Sequence, residues 1–138
     1  MDMARNGPTR LVARNIDTGE VVATRVTVAT RMVERGIGLL NRQRLHPGEG
    51  LLITPCRGVH TWGMRFAIDV VALDASGVVV DAVSSLGPWR IRLPRRGGDR
   101  VLELPEGSLL RTNTQRGHRI ALDLVPAWEV TPKGFQAA

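Results

Sequence analysis

Cys56, His60, Met64 and Asp69 fall close together in the chain, and their types could bind a metal, attack a carbonyl or move a proton. Cys56 lies between Pro55 and Arg57. A neighbouring guanidinium favours the thiolate, and His60 is near enough in sequence to serve it as a base. No recognisable cysteine-hydrolase motif surrounds it, so a small buried or loop thiol is the simpler reading. His60 with Asp69 could act as an acid–base pair if the two met at about 3 Å beside an open cleft. Cys56 and His60, joined by His46, His118 or Met64, would supply soft ligands for copper or zinc. A cysteine and a histidine with three residues between them do not form a known zinc pair, so no metal and no cofactor is expected.

If His60 to Met64 runs extended, side chains alternate: His60, Trp62 and Met64 share one face, and Thr61 and Arg65 the other. Apolar walls with a few convergent polar groups are what small-molecule pockets are made of. The candidate ligand set is therefore His60, Trp62, Met64, Arg65 and Asp69, with Trp89 and Arg90 as outlying members. The plainer alternative makes Trp62 and Met64 core residues and ties His60 to a backbone carbonyl. Asp69 sits inside an apolar run, and a buried acid is costly unless paired, so Arg65, His60 or nearby backbone donors should satisfy it. Trp89 with Arg90, Arg92, Arg95, Arg96 and Arg100 could stack a base and neutralise phosphates. Gly97-Gly98 lacks the spaced glycines, Lys and Ser/Thr of a phosphate-binding loop, which disfavours nucleotide hydrolysis.

These groups must be positioned by strands for the most part. Asp17-Thr18-Gly19-Glu20 is a turn between apolar stretches, predicting a hairpin over 10–23, and Val26 and Val28 continue an alternating pattern. A short broken helix is expected over 30–44, where Gly36 and Gly38 weaken a loose helical spacing. Leu51-Leu52-Ile53 reads as a strand covered on both faces and ended by Pro55. Two central strands hinged near Gly63 are predicted over 59–74, with a turn at 75–77 leading into Val78-Val79-Val80. Residues 84–100, rich in Pro, Gly and Arg, read as a surface loop. Val101 to Leu104 is a short strand, and Pro105-Glu106 should open a helical turn. Arg119 to Val125 alternates as a half-exposed last strand.

Gly38-Leu39-Leu40, Arg42, Leu45 and Gly48-Glu49-Gly50-Leu51-Leu52-Ile53 lead into Pro55-Cys56-Arg57-Gly58-Val59-His60-Thr61-Trp62-Gly63-Met64-Arg65-Phe66-Ala67-Ile68-Asp69. The His-Thr, Met-Arg-Phe and Ile-Asp elements of that run, with Pro88-Trp89-Arg90 and Val101 to Gly107 downstream, resemble the domain of unknown function 192 family over residues 10–125. Ala67 stands where that family usually has Pro, and Gly117-His118 where it usually has Gly-Asp. The resemblance implies a compact β-rich fold with short helices and carries no reaction, cofactor or substrate.

Composition agrees with such a fold. The chain has 138 residues, 43% hydrophobic and 23% charged, within the range of one globular domain. The expected class is mainly β (a β-rich α+β): a barrel- or sandwich-like antiparallel sheet with one or two short helices. Residues 1–9 are expected as a flexible N-terminus, 10–125 as the domain and 126–138 as a tail. No apolar run approaches the roughly 18 to 20 residues of a membrane span. The opening lacks a signal sequence and Cys56 is the only cysteine, so a cytoplasmic protein is expected. The formal charge of +6 could draw acidic partners, but the basic residues are almost all Arg, which base composition alone can produce. The function expected is a non-catalytic accessory domain binding a small molecule or a protein segment. A small hydrolase or lyase and a nucleic-acid binder acting through 90–100 are the alternatives.

Overall fold

The computed structural model describes residues 7–29, 45–55, 59–61, 64–92 and 96–129; of Val59, His60 and Ile91 it describes the backbone alone. The helix expected over 30–44 and the hinge at Gly63 lie outside these residues, as do Cys56 and Trp62. At the first turn, Gly19 adopts φ 80, and the buried Asn15 caps the bend, its Oδ1 accepting the N–H groups of Asp17 and Thr18 at 2.9 and 3.1 Å. This closes the predicted hairpin of β1 (Thr9–Asn15) and β2 (Val21–Ala23). The last strand, β10 (Ile120–Pro126), pairs antiparallel with β1 along its whole length, giving a three-stranded sheet of order β10-β1-β2.

The second sheet has five strands in the order β3-β4-β9-β6-β7: β3 (Arg25–Ala29), β4 (Glu49–Ile53), β6 (Ile68–Leu73), β7 (Val79–Leu86) and β9 (Arg100–Pro105). β3 and β4 run parallel; the other pairs are antiparallel. The all-apolar stretch of β4 and the fully buried β6 are covered on both faces, as continuous apolar runs require. The inner face of this sheet packs against the three-stranded sheet through Val71, Leu73, Leu102 and Leu104 on one side and Ala13, Val22 and Ile120 on the other. Alternation sends Ile68, Val70 and Val101 to the outer face, where they form a second apolar cluster with Leu45, Leu51, Ile53 and Met64.

The two sheets approach at one edge, where Val78 bridges Arg119 and the Val79 N–H donates to the His118 carbonyl at 2.8 Å. Gly77 makes this approach possible: at φ +91, a Cβ there would lie 2.6 Å from the Ile120 carbonyl oxygen. At the opposite edge the chain passes directly from β2 to β3. The result is an open, sandwich-like arrangement of antiparallel and mixed sheets rather than a closed barrel. Among the described residues one helix is present, α1 (Ser108–Thr112).

Three local expectations are corrected. Pro105 ends β9, and α1 begins later, at Ser108, after Gly107 turns the chain with φ 92. The segment 84–100 is not all loop: β7 reaches Leu86, and Ile91–Arg92 forms β8, paired with β5 (Val59–His60). β5 is therefore a short ribbon strand and not a central one. The chain turns immediately after it, the Met64 N–H donating to the Thr61 carbonyl at 3.2 Å.

Candidate functional site

Thr61 organises the region around the sequence-predicted residues. It is fully buried, and its two backbone groups and its hydroxyl all engage the segment after β7. The Thr61 N–H donates to the Arg90 carbonyl at 2.8 Å, and the Thr61 carbonyl accepts the Trp89 N–H at 3.0 Å. Its Oγ1 donates to the Gly87 carbonyl and accepts the Arg90 N–H at 2.9 Å. Held in this way, Trp89 takes a left-handed backbone at φ 60 and leaves 68% of its surface exposed. A bulky residue in that region costs on the order of 1 kcal/mol and persists where its surroundings impose it. The structure thus brings the β5 end, and with it the His60 backbone, next to Trp89 and Arg90.

The ribbon of β5 and β8 is tied to β7, the edge strand of the five-stranded sheet. Arg92 of β8 grips Asp81 of β7 with two bonds, Nε to Oδ2 at 2.8 Å and Nη2 to Oδ1 at 2.9 Å. This pairing raises the affinity of the Arg92 guanidinium for its proton. Arg100 also has an internal partner, donating to the Ala75 carbonyl at 3.1 Å. The predicted basic surface over 90–100 thus has two of its cations engaged within the molecule.

Asp69 points the other way. It is completely buried, and both carboxylate oxygens accept backbone N–H groups, Oδ1 from Ser85 at 2.9 Å and Oδ2 from Leu109 at 2.8 Å. Gly107 has no side chain with which to cap α1, so Asp69 satisfies a first-turn amide from a different strand. At the same time it fixes the bulge at Ser85, whose φ is 54. Of the partners foreseen for Asp69, the backbone donors are the ones found, and Arg65 is exposed. Met64 is buried in the outer-face cluster with 6% exposure. The Met64 N–H turns back to the Thr61 carbonyl, and the face expected for His60, Trp62 and Met64 lies in part outside the described residues. The His60 side chain, Trp62 and Cys56 lie outside the described atoms, and among the described residues no group of His, Cys, Asp and Glu is arranged to hold a metal.

Glu103 was not singled out in the sequence. It sits in the middle of β9, opposite Leu51 on one neighbouring strand and Val70 on the other. Its 5% exposure is far below what the alternation of Leu102, Glu103 and Leu104 suggests. Burial alone pushes its carboxyl up to about 7. The only signal in the sequence was that an acid shares a strand face with Val101, in a strand that proves central.

His118 takes the position at which the family usually has an acid. Its Nδ1 lies 3.1 Å from the Asn15 Nδ2 and accepts the Gln115 N–H at 3.2 Å. Both neighbours are donors, so Nδ1 is the bare nitrogen and serves as the acceptor that a carboxylate would provide.

Fold and site define a small mixed β-sandwich with a tryptophan-bearing segment clamped by Thr61 beside a short ribbon. The chain belongs to the DUF192 family, described as "Uncharacterized ACR", whose profile matches residues 13–122. It is similar to a UPF0127 protein of Pyrococcus furiosus, 30% identical over 109 residues that span 77% of this chain and 93% of that protein. A UPF0127 protein of Thermococcus sibiricus is 30% identical over 130 residues, spanning 89% and 82% of the two chains. Two solved structures share the fold at 20% identity. One is a candidate transcription regulator of Sinorhizobium meliloti, with a TM-score of 0.71 over 83% of this chain and 92% of that one. The other is a protein of unknown function from Novosphingobium aromaticivorans, with a TM-score of 0.68 over 80% and 82%.

Proposed function

We infer that the chain is a non-catalytic binding domain that holds a small ligand or a partner segment against Trp89 and Arg90, beside the His60 end of β5. The observation carrying this reading is the Thr61 clamp: an exposed tryptophan kept in a costly backbone conformation by a buried threonine. Large aromatic side chains beside a guanidinium are the groups that contribute most at binding surfaces, and a preset loop lowers the entropy lost on association. The saturation of Asp69 supports a binding role over acid–base chemistry, because that carboxylate has neither solvent access nor an oxygen free of a donor.

The test is a thermal-shift screen of metabolites and short peptides against the wild type, Trp89→Ala, Arg90→Ala and His60→Ala. Compounds that raise the wild-type melting temperature should fail to do so with folded Trp89→Ala and Arg90→Ala protein. Full retention of the response in both variants would remove the assigned surface.

A further inference from the structure

Among the described residues three acids are buried, and two of them are satisfied. Asp69 accepts two backbone amides, and Asp81 is held by both arms of Arg92. Glu103 has no hydrogen-bond or ion-pair partner among the described residues, and burial alone raises its carboxyl. The sealed side-chain polar atoms that lack a partner there are Nε of Arg10 and of Arg100. The Glu103 oxygens are not among them, so this partnerless acid is still reached by solvent.

Its neighbours across the sheet are apolar. The register places Leu51 and Val70 on either side of it, and Ile53, Ile68, Val101 and Met64 belong to the same apolar cluster. An acid in such a place costs several kcal/mol in its charged form unless a cation meets it. A ligand with one positive charge on a hydrocarbon body would supply that cation and match the walls. An anionic ligand would be repelled, and a neutral one would leave the ionised acid unpaired.

We propose that Glu103 is the anchor of a second binding site, on the outer face of the five-stranded sheet, that takes a small molecule carrying a protonated primary amine on an apolar body. The net charge of the chain is +6, so long-range steering does not favour a cation, and recognition rests on the local carboxylate. This site does not depend on the Trp89 surface, and its variant leaves that residue unchanged.

The experiment titrates the full chain with benzylamine, cyclohexylamine and hexylamine, and with benzyl alcohol and cyclohexanol as uncharged counterparts. It follows both the melting temperature and the 13C carboxyl resonance of Glu103. The amines should raise the melting temperature and shift the Glu103 resonance to its ionised position, while the alcohols do neither. Glu103→Gln should weaken amine binding by at least about tenfold, a loss of about 1.4 kcal/mol or more. Equal binding of amines and alcohols, unchanged amine affinity in Glu103→Gln, or a Glu103 resonance indifferent to saturating amine would each overturn the proposal.

Discussion

The two faces of the five-stranded sheet treat a buried acid in opposite ways. Asp69 and Glu103 belong to adjacent strands, and their register pairs follow one another: Asp69 opposite Leu104, Val70 opposite Glu103. One step along the strand reverses the face, so two acids in neighbouring ladder positions enter different environments. On the inner face Asp69 meets two backbone amides, and it ties a bulge to the start of a helix. On the outer face Glu103 meets leucine and valine. The contrast teaches that depth of burial does not separate a structural acid from an available one; the supply of donors does.

The sharpest way to break this comparison is to remove Asp69. Asp69→Ala leaves the buried Leu109 amide and the Ser85 amide without their acceptor and should cost about 3 kcal/mol or more, measured by urea unfolding. That is a fall in melting temperature on the order of 10 °C. A loss below about 1 kcal/mol would show that the acid is not the fastener described.

Glu103 should respond next most strongly, and with pH. Below about pH 4.5 its carboxyl is neutral in the folded and the unfolded chain alike. Between there and about 7 the unfolded chain releases the proton while the folded chain keeps it, because burial holds the carboxyl up to about 7. Stability from this group is therefore complete at low pH and is lost as pH rises through about 7, by roughly 3 kcal/mol in all. Glu103→Gln should abolish that slope and unfold at higher urea than the wild type at pH 8. A wild type whose stability does not depend on this side chain between pH 5 and 8 would refute the account of the outer face.

Thr61→Val keeps the shape of the buried residue and removes the hydroxyl that serves Gly87 and Arg90. It should cost about 1 to 2 kcal/mol, with a change in Trp89 fluorescence that marks release of the loop. An unaltered spectrum would mean that the backbone bonds alone hold the clamp. The smallest effect belongs to Trp89→Gly, which relieves the left-handed backbone and should change stability by less than about 1 kcal/mol, in the favourable direction. A substantial loss would show that Trp89 packs as a core residue and is not presented to a partner.

Much of the strand framework was legible. The Asp17 to Glu20 turn, the unbroken apolar β4 and the alternation of Ile120, Leu122 and Leu124 are local patterns, and each yielded the element it suggested. What escaped was whatever depended on a partner far along the chain. Asp69 was read as a buried acid in need of donors, but the Leu109 amide lies 40 residues away, and nothing near Asp69 reveals that Gly107 leaves a helix uncapped. The segment after His60 was read as a continuing strand because it is apolar. The turn at Thr61 arises from its grip on 87–90, a tertiary demand that overrides periodicity. Glu103 was hidden by its setting, since an acid between two leucines in a short run is the usual mark of a half-exposed strand.

The antiparallel pairing of β1 with β10 also bears on how the chain is made. One of the two neighbours of the first strand lies more than 100 residues further on, so on the ribosome that edge of β1 must wait until β10 has emerged. Such long-range closure slows folding and leaves an early strand edge open to wrong company in the meantime. Refolding of this domain should accordingly be limited by a late event, the docking of β10 onto the waiting hairpin.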